Sequence, residues 1–225
     1  MPFVDLNADL GEGVTDDEGL VAIVTSANVA CGYHAGDEAT MRAVCASAAR
    51  LGVAVGAQVS YDDREGFGRR RMDVAYDVLR DAVADQVGVL SAIALEAGTR
   101  VSYVKPHGAL YNRVVEDEEQ ARAVLDGSGE LPVLGLPGAL ILTLGRAHFL
   151  EGFPDRGYTP EGRLVPRGEP DALVEDIGTI SANAVRLAAT VDSVCVHGDS
   201  ASAVQAAAAC RRALEQAGYT LRSFT

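Results

Sequence analysis

Val4-Asp5-Leu6-Asn7-Ala8-Asp9-Leu10, followed by Gly11-Glu12-Gly13, is the stretch on which the fold turns. Apolar residues take the even positions and polar residues the odd ones, the period of two that belongs to a β-strand. Thr15, Asp16 and Asp17 then offer helix caps ahead of Leu20, Ile23 and Val24. The same order of strand, short loop and helix recurs along the chain. Residues 27–33 form a second strand candidate, and Asp37 caps a helix whose apolar face is Met41, Val44, Cys45, Ala48 and Leu51. Gly52 stands where a C-terminal glycine cap belongs. Residues 53–60 read as a third strand, 74–97 as the longest helix, and 101–107 as a fourth strand. The stripe assigned to that helix is Val74, Val78, Ala82, Val83, Val87, Leu90 and Ala94.

Further on, a broken helix runs to about residue 125, a short strand covers 132–136, and 139–147 is expected to be helical. The stretch 149–170, rich in Gly, Pro and charge, reads as loop. Helices are expected at 172–189 and 201–217, with strands at 194–196 and 221–224. Repeated β-then-α units with short connections mean a mostly parallel sheet. About seven of them point to one domain over 1–225, a distorted (β/α) barrel, with an open doubly wound sheet as the alternative.

Bulk properties narrow the partners. Against 19 basic residues stand 32 acidic ones, a net charge of -13, which disfavours nucleic acid and anionic membranes. No apolar run approaches the ~20 residues of a membrane span. Residues 1–10, broken by Asp5, Asn7 and Asp9, do not read as a signal peptide. The four cysteines include no CxxC pair, which suits a reducing cytoplasm. There is no Gly-x-x-x-x-Gly-Lys-[Ser/Thr] loop, so ATP, if used, is bound without it or on another chain. Self-association into a homo-oligomer stays open.

In parallel α/β folds ligands bind at the carboxyl ends of the strands. Here those ends carry Asn7, Asp9 and Glu12; Asn28, Cys31 and His34; Gln58 and Ser60; Lys105 and His107; His197 and Asp199. Three of the four histidines are followed closely by glycine: His34-Ala-Gly36, His107-Gly108 and His197-Gly198. Glycine there lets a ligand or backbone come close. Asp37 and Asp199 also suit plain helix capping, and Cys31 reads either as a nucleophile beside His34 or as an inert buried thiol. Lys105 calls for an anion, from a ligand or from Asp9 or Glu12. Arg64 and Arg69, in Arg64-Glu-Gly66-Phe-Gly68-Arg69, are the guanidinium groups placed to clamp a carboxylate or phosphate.

These motifs, Asp5-Leu-Asn-Ala-Asp-Leu-Gly-Glu-Gly13, Ser26-Ala-Asn-Val-Ala-Cys-Gly-Tyr-His-Ala-Gly-Asp37, Asp63-Arg-Glu-Gly-Phe-Gly-Arg-Arg70, Val104-Lys-Pro-His-Gly-Ala-Leu-Tyr-Asn112, Asp155-Arg-Gly-Tyr158 with Leu164-Val-Pro-Arg167, and Cys195-Val-His-Gly-Asp199, together resemble the family of 5-oxoprolinase A-type subunits, of LamB/YcsF type. The resemblance implies a distorted barrel related to sugar deacetylases. It implies ATP-dependent hydrolysis of 5-oxo-L-proline to L-glutamate with two further subunits, of B and C type. Asp9, His34, His107 and His197 are then the expected catalytic residues, and Asn7, Glu12, Asn28, Gln58, Arg64, Arg69, Lys105 and Asp199 the expected binding residues. The chain departs from the family at Gly56-Ala-Gln-Val-Ser60, where the family reads Gly-Ala-His-Pro-Ser. Glutamine is a poor proton shuttle and metal ligand. Two other readings therefore stand beside the first: a metal-dependent hydrolase with Asp9, His34 and His107 on a divalent ion, and a non-catalytic diverged subunit.

Overall fold

The computed structural model describes residues 2–199 and 202–225. Seven parallel strands close on themselves: β1 (Phe3–Leu10), β2 (Ser26–Ala30), β3 (Ala54–Val59), β4 (Val101–Pro106), β5 (Val133–Gly135), β6 (His148–Gly152) and β7 (Ser193–Val196). β1 pairs with both β2 and β7, which closes the barrel. A short β8 (Thr220–Leu221) adds beside the start of β1.

Outside lie α1 (Asp17–Val21), α2 (Glu38–Leu51), α3 (Tyr76–Glu96), α4 (Gly108–Arg113), α5 (Glu118–Gly127), α6 (Ile177–Leu187) and α7 (Ala203–Gln216). Asp37 and Thr40 form a reciprocal capping box at the start of α2, and Gly52 ends it in the left-handed conformation. The expected helix over 201–217 begins, within the described residues, at Ala203; residue 201 lies outside them.

β1 explains the sequence pattern. Its even residues, Val4, Leu6, Ala8 and Leu10, belong to the apolar core. Its odd residues, Asp5, Asn7 and Asp9, are just as buried, and their partners lie on neighbouring strands inside the barrel. Polar-apolar alternation here separates two buried surfaces, not core from solvent.

Four expectations change. The stretch 139–147 holds a single 3-10 turn, Leu140–Thr143, within the connection from β5 to β6. β6 falls inside the stretch read as loop; five residues bounded by Gly and Pro are too short to show a period. In α3 the buried side follows Leu79, Val83, Gln86, Leu90 and Ile93, while Val78 is 57% exposed. The polar Gln86 hid this stripe. Its amide accepts from Ser60 N and donates to Ser60 O, both at 2.9 Å, so it anchors the helix to the end of β3. Leu51, assigned to the buried face of α2, is likewise exposed.

Candidate active site

The barrel interior is built in layers. In the lower layer Asp5 accepts hydrogen bonds from Thr25 (2.5 Å), Ser26 (2.7 Å) and Ser193. Burial pushes its carboxyl up to about 6, although the hydroxyl donors pull the other way. One level higher, Asn7 donates to Ser193 Oγ at 2.6 Å, and Asn28 Nδ2 donates to Asn7 Oδ1 at 2.7 Å and Asp9 Oδ1 at 2.9 Å. Tyr103 donates to Asn28 Oδ1 at 2.6 Å. Asn7 and Asn28 thus brace the layer above them and do not line the cavity.

That layer is charged. Lys105 Nζ lies 2.8 Å from Asp9 Oδ1, 3.1 Å from Cys195 Sγ and 3.4 Å from Glu151 Oε2. Burial alone drives a lysine toward neutrality, but Asp9, Cys195 and Glu151 outweigh it and hold Lys105 charged. Asp9 is buried too, yet Lys105, with help from His197 and His107, holds its carboxyl below the usual range. Asp9 is therefore a fixed anion, poorly suited to take a proton. Glu151 and Tyr111 are both raised by burial and sit beside one another under the same site.

Higher still, the side chains divide into two walls. On one, His34 and His107 stack with ring centroids 3.9 Å apart, and Phe67 packs edge-on against both. Gln58 Nε2 lies 2.9 Å from His107 Nδ1 and 3.0 Å from Glu12 Oε1. Because the amide nitrogen donates, His107 Nδ1 accepts and its Nε2–H points to Phe67 O at 3.1 Å. Burial and the neighbouring His34 hold His107 well below the ordinary histidine pKa. Glu12, His34 and His107 form a buried donor set of the kind that holds a metal ion.

On the opposite wall, Asp155 binds His197 three ways. Its oxygens lie 3.0 Å from Nδ1, and Oδ2 accepts the His197 backbone N–H at 2.9 Å. Burial works to raise the Asp155 carboxyl, but His197 holds it down. With Nδ1 committed, Nε2 is left to the cavity, the arrangement that lets an imidazole act as a base.

A cavity of about 520 Å³ opens here, with Asp9, Lys105, His107 and His197 in its lining. Its wall also carries Arg69, Arg156, Arg163 and Arg167, a cationic mouth on an acidic protein. Asp199 ties part of it together through Arg69 and through Arg167 at 3.2 Å. Arg156 is fixed by the carbonyls of Ala172 (3.0 Å) and Val165 (2.6 Å).

Of the expected residues, Asp9, Lys105, His107, His197 and Arg69 meet at the cavity, with Asp199 bridging two of its arginines and His34, Gln58 and Glu12 directly behind His107. Arg64 is elsewhere: its guanidinium donates to Gly32 O (2.6 Å) and Gly36 O (2.8 Å) and pins the loop after β2. Cys31 is buried, and desolvation pushes its thiol far up, which leaves it inert. The glycines after His107 and His197 serve the backbone: a Cβ at Gly108 would strike Gly68 O, and one at Gly198 would strike Asp9 O. Sequence reasoning missed Glu151, hidden in the unrecognised β6, and gave no role to Asp155, Arg156 and Arg167, whose motifs it quoted but which lie on an irregular segment with no period.

The fold and motifs recur elsewhere. Residues 4–225 match the LamB/YcsF family. The A-type subunit of 5-oxoprolinase from Streptomyces avermitilis is 53% identical over 249 residues, covering 99% of this chain and 100% of the relative. Its counterpart from Mycolicibacterium gilvum is 48% identical over 252 residues, with full coverage of both. Both alignments are longer than the 225-residue chain, so the relatives carry segments it does without. Among solved structures, a lactam utilization protein from Thermus thermophilus superposes with a TM-score of 0.92 at 35% identity, covering 99% of this chain and 100% of that one. A family 4 carbohydrate esterase from Streptomyces lividans shares the fold alone, with a TM-score of 0.57 at 13% identity over 100% of this chain and 92% of that one. With a match that spans the barrel from its first strand to the C-terminal tail, this chain belongs to the LamB/YcsF family.

Proposed function

We propose that this chain is the A-type subunit of an ATP-dependent 5-oxoprolinase, which opens the cyclic amide of 5-oxo-L-proline to give L-glutamate together with B-type and C-type subunits. The relatives named as A-type subunits of 5-oxoprolinase and the lactam utilization protein support the substrate class. The observation that carries the reading is His197: an imidazole oriented by Asp155, its Nε2 turned to a cavity with an arginine-rich mouth and a charged lysine in its lining.

A lactam resists water because its nitrogen feeds electron density into the carbonyl. Transfer of the ATP γ-phosphoryl group to the amide oxygen removes that resistance. His197 Nε2 then takes a proton from water as the oxygen adds to the activated carbon. The carbon–nitrogen bond breaks as the ring nitrogen recovers that proton, leaving an acyl phosphate. A second water releases phosphate and glutamate. Lys105 stabilises negative charge developing on oxygen, and Arg69 and Arg167 hold the substrate carboxylate or the phosphoryl group. The hydrogen bonding favours His197 as the base over Asp9, held as an anion by Lys105, and over His107, whose Nδ1 lone pair is engaged by Gln58. This chain supplies no phosphate loop, so ATP is bound without one or on a partner subunit.

The test is purification of the chain with its B-type and C-type partners, followed by measurement of glutamate release from 5-oxoproline. Release that needs ATP and all three subunits is expected. An intact complex that forms no glutamate, or release by this chain alone without ATP, would refute the proposal.

A further inference from the structure

We infer that Glu12, His34, His107 and Gln58 form a four-coordinate divalent-cation site, best suited to Zn2+, set behind the cavity wall. The inference is independent of the lactam reading, because it rests on groups that lack partners and not on any substrate.

Both nitrogens of His34, at 1% exposure, have no hydrogen-bond partner. Gln58 Oε1 and Ser60 Oγ, both fully buried, have none either. A buried polar group left dry forfeits its hydration without recompense, so a cluster of them calls for a ligand. Glu12 Oε1 is 3.5 Å from His34 Nε2 and 3.6 Å from His107 Nδ1. With bonds of about 2.0–2.1 Å, a tetrahedral zinc keeps its ligand atoms roughly 3.3 Å apart, so these two separations need little closing. The imidazoles of His34 and His107, stacked at 3.9 Å between centroids, must tilt to direct both lone pairs at one ion.

His107 shows the arrangement of a ligating histidine. Its Nε2–H is held by a backbone carbonyl, Phe67 O at 3.1 Å, which presents Nδ1 to the cluster. Gln58 completes the set. At present its amide nitrogen sits between Glu12 and His107, as a cation would, while its oxygen is unpartnered. The two ends of an amide have nearly the same shape, and rotating it by half a turn brings Oε1 to the centre as a neutral fourth ligand. Two imidazoles, one carboxylate and one amide oxygen suit Zn2+ better than Ca2+ or Mg2+, which favour all-oxygen shells. The ion would join the ends of β1, β3 and β4 to the loop after β2, fixing the wall against which substrate packs.

The test uses the full chain, stripped with a chelator and titrated with ZnCl2 and CoCl2. One equivalent of Zn2+ per chain is expected by elemental analysis, together with the visible absorption of tetrahedral Co2+. Glu12→Gln and His34→Ala, shown to be folded by circular dichroism, should weaken Zn2+ binding at least 100-fold. Gln58→His, which replaces a weak ligand by a strong one, should tighten it at least tenfold, so the inference stays testable should the first two variants unfold. Failure of the parent chain to bind an equivalent of Zn2+, or affinities unchanged across these variants, would overturn it.

Discussion

The lower and upper halves of the barrel interior are equally buried and equally polar, yet they are satisfied to different degrees. Below, Asp5, Asn7, Asn28, Ser26, Ser193 and Tyr103 form a ladder whose donors and acceptors meet on neighbouring strands. Above, His34, Gln58 and Ser60 keep buried atoms without a hydrogen-bond partner. Polarity alone therefore does not mark a functional site. Folding keeps a buried polar group cheaply when its partner is built in, and an unmatched one persists where a ligand completes it.

The largest test falls on the boundary between the halves. Lys105→Met leaves Asp9 and Glu151 facing each other without a cation, and should lower stability by about 3–5 kcal/mol in urea unfolding. A cost below about 1 kcal/mol would mean that the upper half is more plastic than its contacts imply. His197→Ala should lower kcat of the assembled complex by about 100-fold or more with the fold intact, the usual contribution of a general base. Asp155→Asn should reproduce much of that loss and shift the pH–rate profile.

The lower half is tested by pH. The native state keeps a proton on Asp5 up to about pH 6, whereas the unfolded chain releases it near the ordinary carboxylate value of 3.8. A raised carboxylate pKa means that the native state binds more protons between those values. Stability from this group therefore falls as pH rises from about 4 to 6 and is level above that. The window corresponds to about 3 kcal/mol. Asp5→Asn should abolish this slope, so the difference in unfolding free energy between variant and parent should change by about that amount across the window. Parallel pH profiles would show that the hydroxyl ladder already balances the carboxylate. The smallest effect is expected at the rim: Arg163→Gln should raise KM a fewfold and leave kcat unchanged, since this guanidinium is exposed and screened by water.

Much of this was legible in the residues. The period of two in β1, the capping box at Asp37 and the histidines at strand ends follow from local rules; His107 and His197 line the cavity, and His34 stacks behind His107. What was not legible depends on contacts between distant segments. Asp155 reaches His197 across 42 residues from an irregular segment, and only the closed barrel brings them together. Glu151 sits in a strand too short to announce itself. Arg64 looked like its neighbour Arg69 in sequence, but a loop carbonyl cage claims one and the cavity the other.

The C-terminal tail has one more consequence. Phe224 packs on Tyr103 (4.9 Å between ring centroids) and Phe149 (4.5 Å), while Ser223 meets Ser26 and Thr225 meets Ser102, so the tail lies across the amino-terminal ends of the strands like a stopper. The tail thereby covers the end of the barrel opposite the arginine-lined cavity. Loosening this stopper would turn a blind chamber into a conduit, and buried deuterium-exchangeable groups such as the Asn7 amide would be the first to register the leak.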